Sequence, residues 1–494
     1  MKLTLLTILI YMPLTLFAQS GVDGEVIQFS NSDLGTNESC IMLNKIPGGD
    51  FSKKDLKREK SFCEIDLYSE EFAVCPKTWS TSPATMIYKL GKSGISADEY
   101  EVSKYCGNSN KSKAPGVKKE AKLKTTMHQN NTSGTYSKSS LMYYQLSRYF
   151  DMNVSVPVAV YREFDRGVYF ERGTAQLGKK RSAHKMNRAG WEWMERALQG
   201  AYSPASDIYS DETKRNLYGV LLDGPGERYG PEFNGIRGGG YQSQHQKFQL
   251  TPGFLALKSD KPLAQAIEYA IAQAGKSSSM KPYLKQLDGL QGQLQVMFWM
   301  RELIEINLLD FIFSQQDRVG NIDFLYYWYY VKDGKASRTK DESDYNNKKR
   351  NSINSVPMTK ELDDGVRIAE LKPILIQRTF LNDNDAGTKT QYANWSKKVG
   401  HLKGMKHFSL KIYKKLIELN KDLQSEGPIF QWAHSSTGLT GGELKWFKEN
   451  TRLATEIIRG QCKSGMSFDL DNIKDSLTNG ITSVPSSEVD CDNP

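Results

Sequence analysis

Acidic and amide side chains suited to phosphoryl transfer follow an apolar stretch in the second half of the chain. The apolar stretch ends at Phe313, and the residues after it include Asp317 and Asn321. A second acid, Asp363, follows further along the chain. Phosphoryl transfer requires one acid that takes the proton of the accepting hydroxyl and another that holds a divalent cation. These residue types predict Asp317 as the catalytic base, with Asp363 and Asn321 as metal ligands.

Such a site also needs a cation that neutralises phosphates, and the sequence offers two lysines on a predicted strand. Lys122 and Lys124 alternate with apolar residues, a pattern typical of a strand. Lys124, with Lys122 as the alternative, is the expected phosphate anchor, although such lysines usually lie on a solvated strand face. The predicted order in this region is strand, helix, strand, strand, over residues 117–126, 139–150, 154–161 and 167–171.

The second half of the chain has mainly helical periodicity. We expect helices over 182–201, 263–274, 284–313, 408–423 and 442–460, and strands over 322–331 and 366–375. Residues 332–355 form a charged insertion. The segment from Asp223 to Gly240 is rich in glycine but lacks the spacing of a phosphate-binding loop, so it predicts an ordinary loop.

Two segments resemble known motifs. Residues 313–321, FSQQDRVGN, and 362–365, LDDG, resemble the catalytic Asp-Arg and metal-binding Asp-x-Gly motifs of the atypical kinases. That group includes the type II phosphatidylinositol 4-kinases, the HipA toxin kinases and the secretory-pathway protein and glycan kinases. Residues 140–160 resemble the region around their αC helix. The resemblance implies a bilobal protein-kinase-like fold, ATP with Mg²⁺ or Mn²⁺ as cofactors, and a protein or glycan hydroxyl as acceptor.

The sequence departs from the pattern of that group at two places. The group usually has its metal-binding residue five positions after the catalytic acid, where this chain has Ile322; Asn321 and Asp323 are the neighbouring candidates. The glutamate that pairs with the lysine is replaced by Ser140, with Glu163 or Glu171 as substitutes. A nucleotide-binding pseudokinase is therefore an alternative. The 25 tyrosines and eight tryptophans leave open a third alternative, a secreted binding or adhesion protein.

The first residues and the cysteines indicate an exported protein. Residues 1–18 have a basic start, an apolar run and a small residue at the end, as in a cleavable signal peptide. Six cysteines follow, an even number that favours disulfides in a secreted or periplasmic protein. The simplest pairing is two bridges among the first four and a Cys462–Cys491 bridge. We expect no transmembrane segment in the mature chain.

Composition and motifs exclude several other classes. The formal net charge of +9 is modest for 494 residues, so nucleic acid is not an expected partner. The sequence contains neither G-x-S-x-G nor H-E-x-x-H. We expect an α+β fold with a disulfide-bearing N-terminal region at 19–116 and a kinase-like domain at 117–470. The small mixed lobe would cover 117–180, the large mainly helical lobe 181–470, and a tail 471–494.

Overall fold

A computed structural model describes residues 21–108, 113–127, 134–203, 208–224, 227–285, 287–340, 361–362, 365–386, 395–471, 473, 476–479 and 483–494. It contains both helices and strands. The strands are β1 (Gly24–Asn31), β2 (Thr36–Leu43), β3 (Phe72–Pro76), β4 (Thr85–Lys89), β5 (Lys118–Thr125), β6 (Ala159–Asp165), β7 (Asn216–Leu222), β8 (Glu227–Arg228), β9 (Asp323–Lys332), β10 (Lys335–Lys340), β11 (Ile374–Phe380), β12 (His407–Phe408), β13 (Ser467–Phe468) and β14 (Val484–Pro485).

The two longest of the described helices lie in the second half of the chain. They are α1 (Lys53–Cys63), α2 (Ala97–Val102), α3 (Lys138–Tyr149), α4 (Arg166–Glu171), α5 (Thr174–Arg181), α6 (Lys185–Leu198), α7 (Pro231–Asn234), α8 (Gly240–Phe248), α9 (Pro252–Leu257), α10 (Leu263–Ala274), α11 (Lys281–Leu284), α12 (Gly289–Ile312), α13 (Trp395–Lys398), α14 (Leu410–Gln424), α15 (Pro428–Ser436), α16 (Gly441–Lys463) and α17 (Ser476–Asn479). Short 3₁₀ helices lie at Ile368–Leu371 and Ser486–Glu488.

Strands from the first half of the chain form one antiparallel sheet of seven strands, in the order β1-β2-β6-β7-β5-β4-β3. The strands of residues 24–89 therefore share a sheet with β5, β6 and β7. The expected boundary near residue 116 falls between β4 and β5, which are hydrogen-bonded neighbours. A second antiparallel group has the order β10-β9-β11, with β8 paired to β9.

Helix α12 crosses the core and carries charged residues that are paired rather than solvated. Its Arg301 and Glu305 lie 2.7 Å apart, and Glu302 accepts from Arg378 of β11 at 2.6 Å. A buried charge is tolerated when it is paired and hydrogen-bonded. The helix ends where Ser314 adopts a left-handed φ of 54°. The chain then turns toward the end of β11, which places the loop with Asp317 beside the loop that follows that strand.

Three predicted strands differ from the structure, each for a local reason. Residues 167–171 are wrong as a strand because Asp165 accepts the Val168 N–H at 2.9 Å and caps α4. Strand β6 begins at Ala159 rather than residue 154, after Pro157, which has no N–H to donate. Residues 366–375 begin instead with a 3₁₀ helix, and the strand starts at Ile374 after the left-handed Lys372.

The cysteine pairing expected from the sequence is confirmed. The bridges are Cys40–Cys63, Cys75–Cys106 and Cys462–Cys491. The first connects β2 to α1, and the second connects the end of β3 to the segment after α2. Among the helices of the described residues, none combines the length and the apolar character that crossing a bilayer requires.

Candidate functional site

A cavity of about 700 Å³ lies against β5 of the seven-stranded sheet and against the loops that follow α12 and β11. Its walls are strongly charged, and cations outnumber acids. The basic residues are Lys77, Lys113, Lys119, Lys122, Lys124, Arg228 and Arg237, and the acidic residues are Glu227, Asp317, Asp323, Asp383 and Asp385. A concave site with this balance favours an anionic ligand.

Strand β5 presents two buried lysines to this cavity. Lys122 and Lys124 are two residues apart, so their side chains project from the same face of the strand. Only 3% and 2% of these side chains are exposed. Leu123, between them, faces the other way and is buried in the apolar core. A solvated strand face is therefore excluded for both lysines.

The partners of the lysines are acids of the loop after β11. The Lys124 ammonium donates to both Asp385 carboxylate oxygens at 2.8 Å and lies 3.3 Å from Asp383. Lys122 donates to the Asn382 amide oxygen at 2.9 Å and lies 3.4 Å from Asp383. Two lysines and two acids thus form one charge cluster at the floor of the cavity.

The cluster fixes the charge states of its members. Burial alone would raise the pKa of Asp383, but the nearby ammonium groups, Lys124 foremost, lower it well below its usual value. Burial lowers the pKa of Lys122, whereas the acids raise the pKa of Lys124 despite its burial. Asp383 therefore stays ionised, and Lys124 is the lysine that keeps its positive charge most firmly.

Arg318 connects the acid-bearing loop to α12. Its guanidinium donates to Asp310 at 2.9 Å, to the Asn382 carbonyl at 2.9 Å and to the Asn384 side-chain oxygen at 2.8 Å. Only 3% of the side chain is exposed, so these bonds form in an environment that excludes water. Arg318 positions the residues on either side of Asp383, and does so from within the core.

Helix α3 and the residues just before it also hold this loop, by donating to its backbone carbonyl groups. Ser139 donates its hydroxyl to the Asn384 carbonyl at 2.6 Å, and the Tyr136 N–H donates to the Asp385 carbonyl. Ser140 is buried near both lysines, in the place where the kinase resemblance implies a glutamate. The two substitutes lie elsewhere: Glu163 accepts from Ser39 at 2.6 Å, and Glu171 is exposed at the end of α4. In this chain Asp385 is the carboxylate that pairs with Lys124.

Asp317 is half-buried at the wall of the cavity, and its backbone is fixed by two neighbours. Its N–H donates to the Gln315 side-chain oxygen at 3.0 Å, and its carbonyl accepts from the Asn321 amide nitrogen at 2.7 Å. The Asn321 amide oxygen in turn accepts from Arg228. The expected base and the expected amide ligand therefore line one cavity, but the oxygen of Asn321 is already engaged by a cation.

The loop between β3 and β4 also lines the cavity, through Lys77, Trp79 and residues 80–82. Burial lowers the pKa of Lys77 to about 7. The charged groups that act on its ammonium are Asp383, Lys122, Lys124 and Asp385. The Cys75–Cys106 bridge anchors this loop, because Cys75 is the second residue before Lys77.

The structure thus brings together Lys122, Lys124, Asp317 and Asn321, while Asp363 lies outside the described residues. Asp383 and Asp385 were not predicted from the sequence. A signal for them was present, because Asp385-Ala386-Gly387 is a second Asp-x-Gly sequence.

The acids at the cavity suit a divalent cation that is bound together with a phosphate ligand. Among the side chains that the structure describes, no three His, Cys, Asp or Glu residues are grouped as a metal site. Magnesium is commonly bound by one or two carboxylates together with substrate phosphates. The carboxylate of Asp385, which lines the cavity, suits that mode.

No protein-family model matches this sequence, and no curated protein matches it.

Proposed function

We propose that the protein is a secreted or periplasmic atypical kinase that transfers the γ-phosphate of ATP to a hydroxyl group of a protein or glycan. The observation that carries the proposal is the buried Lys124–Asp385 pair on the same cavity as Asp317. A lysine on a sheet strand, an acid after a later strand and a base in a helix-exit loop are the components that kinases require.

The order of elements supports a kinase-like bilobal arrangement. Strand β5 carries the lysines, α3 follows it, and β6 and β7 complete that part of the sheet. The helix α12 then leads to Asp317, and the pair β9 and β11 leads to Asp385. In the proposed arrangement the first group belongs to a small lobe and the second to a large lobe, with the nucleotide between them.

The roles of the side chains follow from their charge and position. Lys124, with Lys122 and Lys77 beside it, would neutralise the phosphates, and Asp385 would hold the Mg²⁺ or Mn²⁺ that accompanies ATP. The bound cation would supply charge neutralisation at the phosphates. A cavity of about 700 Å³ lies within the range of nucleotide-sized ligand sites.

Asp317 would act on the acceptor. Its carboxylate accepts the proton of the acceptor hydroxyl as the oxygen approaches the γ-phosphorus, so that negative charge does not accumulate on the attacking oxygen. The hydrogen bonds that its backbone N–H donates to Gln315 and its carbonyl accepts from Asn321 fix the Asp317 backbone, and so limit the positions that the carboxylate occupies.

One specific observation favours the second candidate, a nucleotide-binding pseudokinase. Helix α3 brings Ser140 rather than a glutamate to the lysines, and Lys124 pairs directly with the acid that would hold the metal. This candidate and the kinase share nucleotide binding and differ in turnover.

The test measures both properties on the same protein. We expect ATP with Mn²⁺ or Mg²⁺ to raise the melting temperature, since a ligand at about 100 times its Kd adds about 2.7 kcal/mol of stability. Slow release of phosphate from ATP should accompany binding. Asp317→Asn should keep the thermal shift and lower phosphate release by about 10²–10⁴-fold.

The matched control is Asp260→Asn, which removes an exposed carboxylate from another loop and should change neither property. Absence of any thermal shift with ATP under either metal would refute nucleotide binding and both candidates. A shift without phosphate release in the parent protein would support the pseudokinase.

A further inference from the structure

We propose that the guanidinium of Arg228 takes the place of one of the two divalent cations that kinases use, so that this site binds a single cation with ATP. The inference rests on the proposed nucleotide site and specifies its metal stoichiometry. Arg228 belongs to the glycine-rich segment that sequence analysis assigned to a loop without further role.

The position of Arg228 is set by a strand pair. β8 pairs with β9 so that Arg228 is opposite Asp323, and its side chain leaves the sheet toward the cavity. The guanidinium donates to the Gly320 carbonyl at 2.8 Å. A backbone register and a backbone acceptor therefore hold the charged group in place.

Among the described residues, three side chains place an oxygen near this guanidinium. Asn321 accepts a hydrogen bond from it, Asp323 lies 3.3 Å away, and Asp383 lies 3.5 Å away. Two carboxylates and an amide are the oxygen ligands that a hard divalent cation prefers. A cation bound to these three oxygens would occupy the volume that the guanidinium fills.

The charges around Asp383 and Asp385 also favour a single cation, at Asp385. Asp383 has three cations within 3.5 Å, namely Lys124, Lys122 and Arg228. Its negative charge is compensated, and a divalent cation at Asp383 would meet the repulsion of all three. Asp385 has its ion-pair contact with Lys124 at 2.8 Å, and Lys122 and Lys77 also act on its charge. An ionised carboxylate offers about four lone-pair sites, so Asp385 can accept from Lys124 and still bind a cation. We therefore place the single cation at Asp385.

Arginine suits this substitution chemically. The guanidinium is planar, stays protonated and presents five N–H donors, so it contacts several oxygens at once. It contributes one positive charge without needing a metal supply. The site would then respond to the concentration of divalent cation with simple one-site behaviour.

The test counts the Mn²⁺ bound per nucleotide. Equilibrium dialysis with ATP and excess Mn²⁺ gives the ratio directly, and electron paramagnetic resonance of free Mn²⁺ provides a second measurement. The parent protein should bind one Mn²⁺ per ATP. Arg228→Gln should bind two, because Asn321, Asp323 and Asp383 then lose the competing cation, whereas Arg228→Lys should stay at one.

A matched control is available in the same cavity. Arg237 donates to the same Gly320 carbonyl at 2.6 Å, so Arg237→Gln removes a comparable charge and should leave the ratio at one. A ratio of two in the parent, or of one in Arg228→Gln, would overturn the role of Arg228 while nucleotide binding stands. If the parent binds no nucleotide, the proposed function fails and this inference fails with it. The parent ratio decides alone if Arg228→Gln does not fold.

Discussion

The Lys124–Asp385 pair makes a quantitative prediction about stability. Asp385→Asn leaves a lysine that is 2% exposed with only part of its counter-charge. Removing one partner of a buried pair costs about 3–5 kcal/mol. We expect about 3 kcal/mol here, at the low end, because Asp383 remains 3.3 Å from the same ammonium.

The double variant Lys124→Met, Asp385→Leu distinguishes the effect of an unpaired buried charge from the effect of losing the ligand-binding groups. It removes both charges, and replacing a buried ion pair by apolar residues is often neutral or stabilising. Asp383 keeps Lys122 at 3.4 Å and Arg228 at 3.5 Å. The free energy of unfolding should therefore recover to within about 1 kcal/mol of the parent. The thermal shift with ATP should not recover, because the phosphate anchor and the metal ligand are gone.

The assay is urea unfolding followed by tryptophan fluorescence, with the disulfides intact and the transition midpoints compared at equal slope. Asp260→Asn is the control and should change the free energy of unfolding by less than about 0.5 kcal/mol. If the free energy of unfolding of Asp385→Asn is within about 1 kcal/mol of the parent value, the Asp385 charge does not compensate the buried Lys124 ammonium as described. The same conclusion follows if the double variant is no more stable than either single variant.

Three further predictions concern residues that line the cavity or hold its loops in place. Because burial lowers the pKa of Lys77 to about 7 and phosphates favour its charged form, ATP affinity should fall as the pH rises above about 7, by at most about tenfold per pH unit. Calorimetry on either side of this pH should show that the Lys77→Gln variant loses this pH dependence. A parent affinity that rises with pH relative to the variant would contradict the role given to Lys77. Arg318→Lys keeps the charge but loses the forked contacts to Asp310 and to the loop after β11. The free energy of unfolding should therefore fall by about 2–3 kcal/mol, and ATP affinity by tenfold or more. An unchanged ATP affinity would show that the loop keeps its position without the Arg318 contacts. Replacing Cys75 and Cys106 by Ser should lower both ATP affinity and stability. Replacing Cys462 and Cys491, which close a segment of similar length, should lower stability by about 3 kcal/mol and leave ATP affinity unchanged. Equal ATP affinities in the two variants would contradict the role given to the β3–β4 loop.

Elements with a strong local pattern could be predicted from the sequence. The strand with Lys122 and Lys124, the helix at 138–149 and the long helix before Asp317 all occur close to their expected bounds. Their signals are periodicity and chain direction, which need no partner to be recognised. The Cys462–Cys491 bridge and the presence of two bridges among the first four cysteines followed from proximity along the chain, whereas the partners within those four came from the structure.

The acids of the site could not be predicted from any one segment, because contacts between segments far apart in the sequence determine their position. Two Asp-x-Gly sequences occur after Asp317, at Asp363 and Asp385, and the resemblance to the atypical kinases was assigned to the first. Asp385 lies beside Lys124 because β11 pairs with β9 and because residues of distant segments hold the loop after β11. Those residues are Arg318, Ser139 and Tyr136. For the same reason, the pairing of β2 with β6 was not visible in either segment by itself.

The distance along the chain between the paired charges has a consequence for how the protein folds. Lys124 and Asp385 are separated by 261 residues, yet the lysine is interior to the sheet. A fragment that ends before the loop after β11 would have to bury two ammonium groups without the acids that compensate them. The seven-stranded sheet therefore gains its full stability only after most of the chain has been synthesised, and we expect the sheet and the loop to unfold as one cooperative unit.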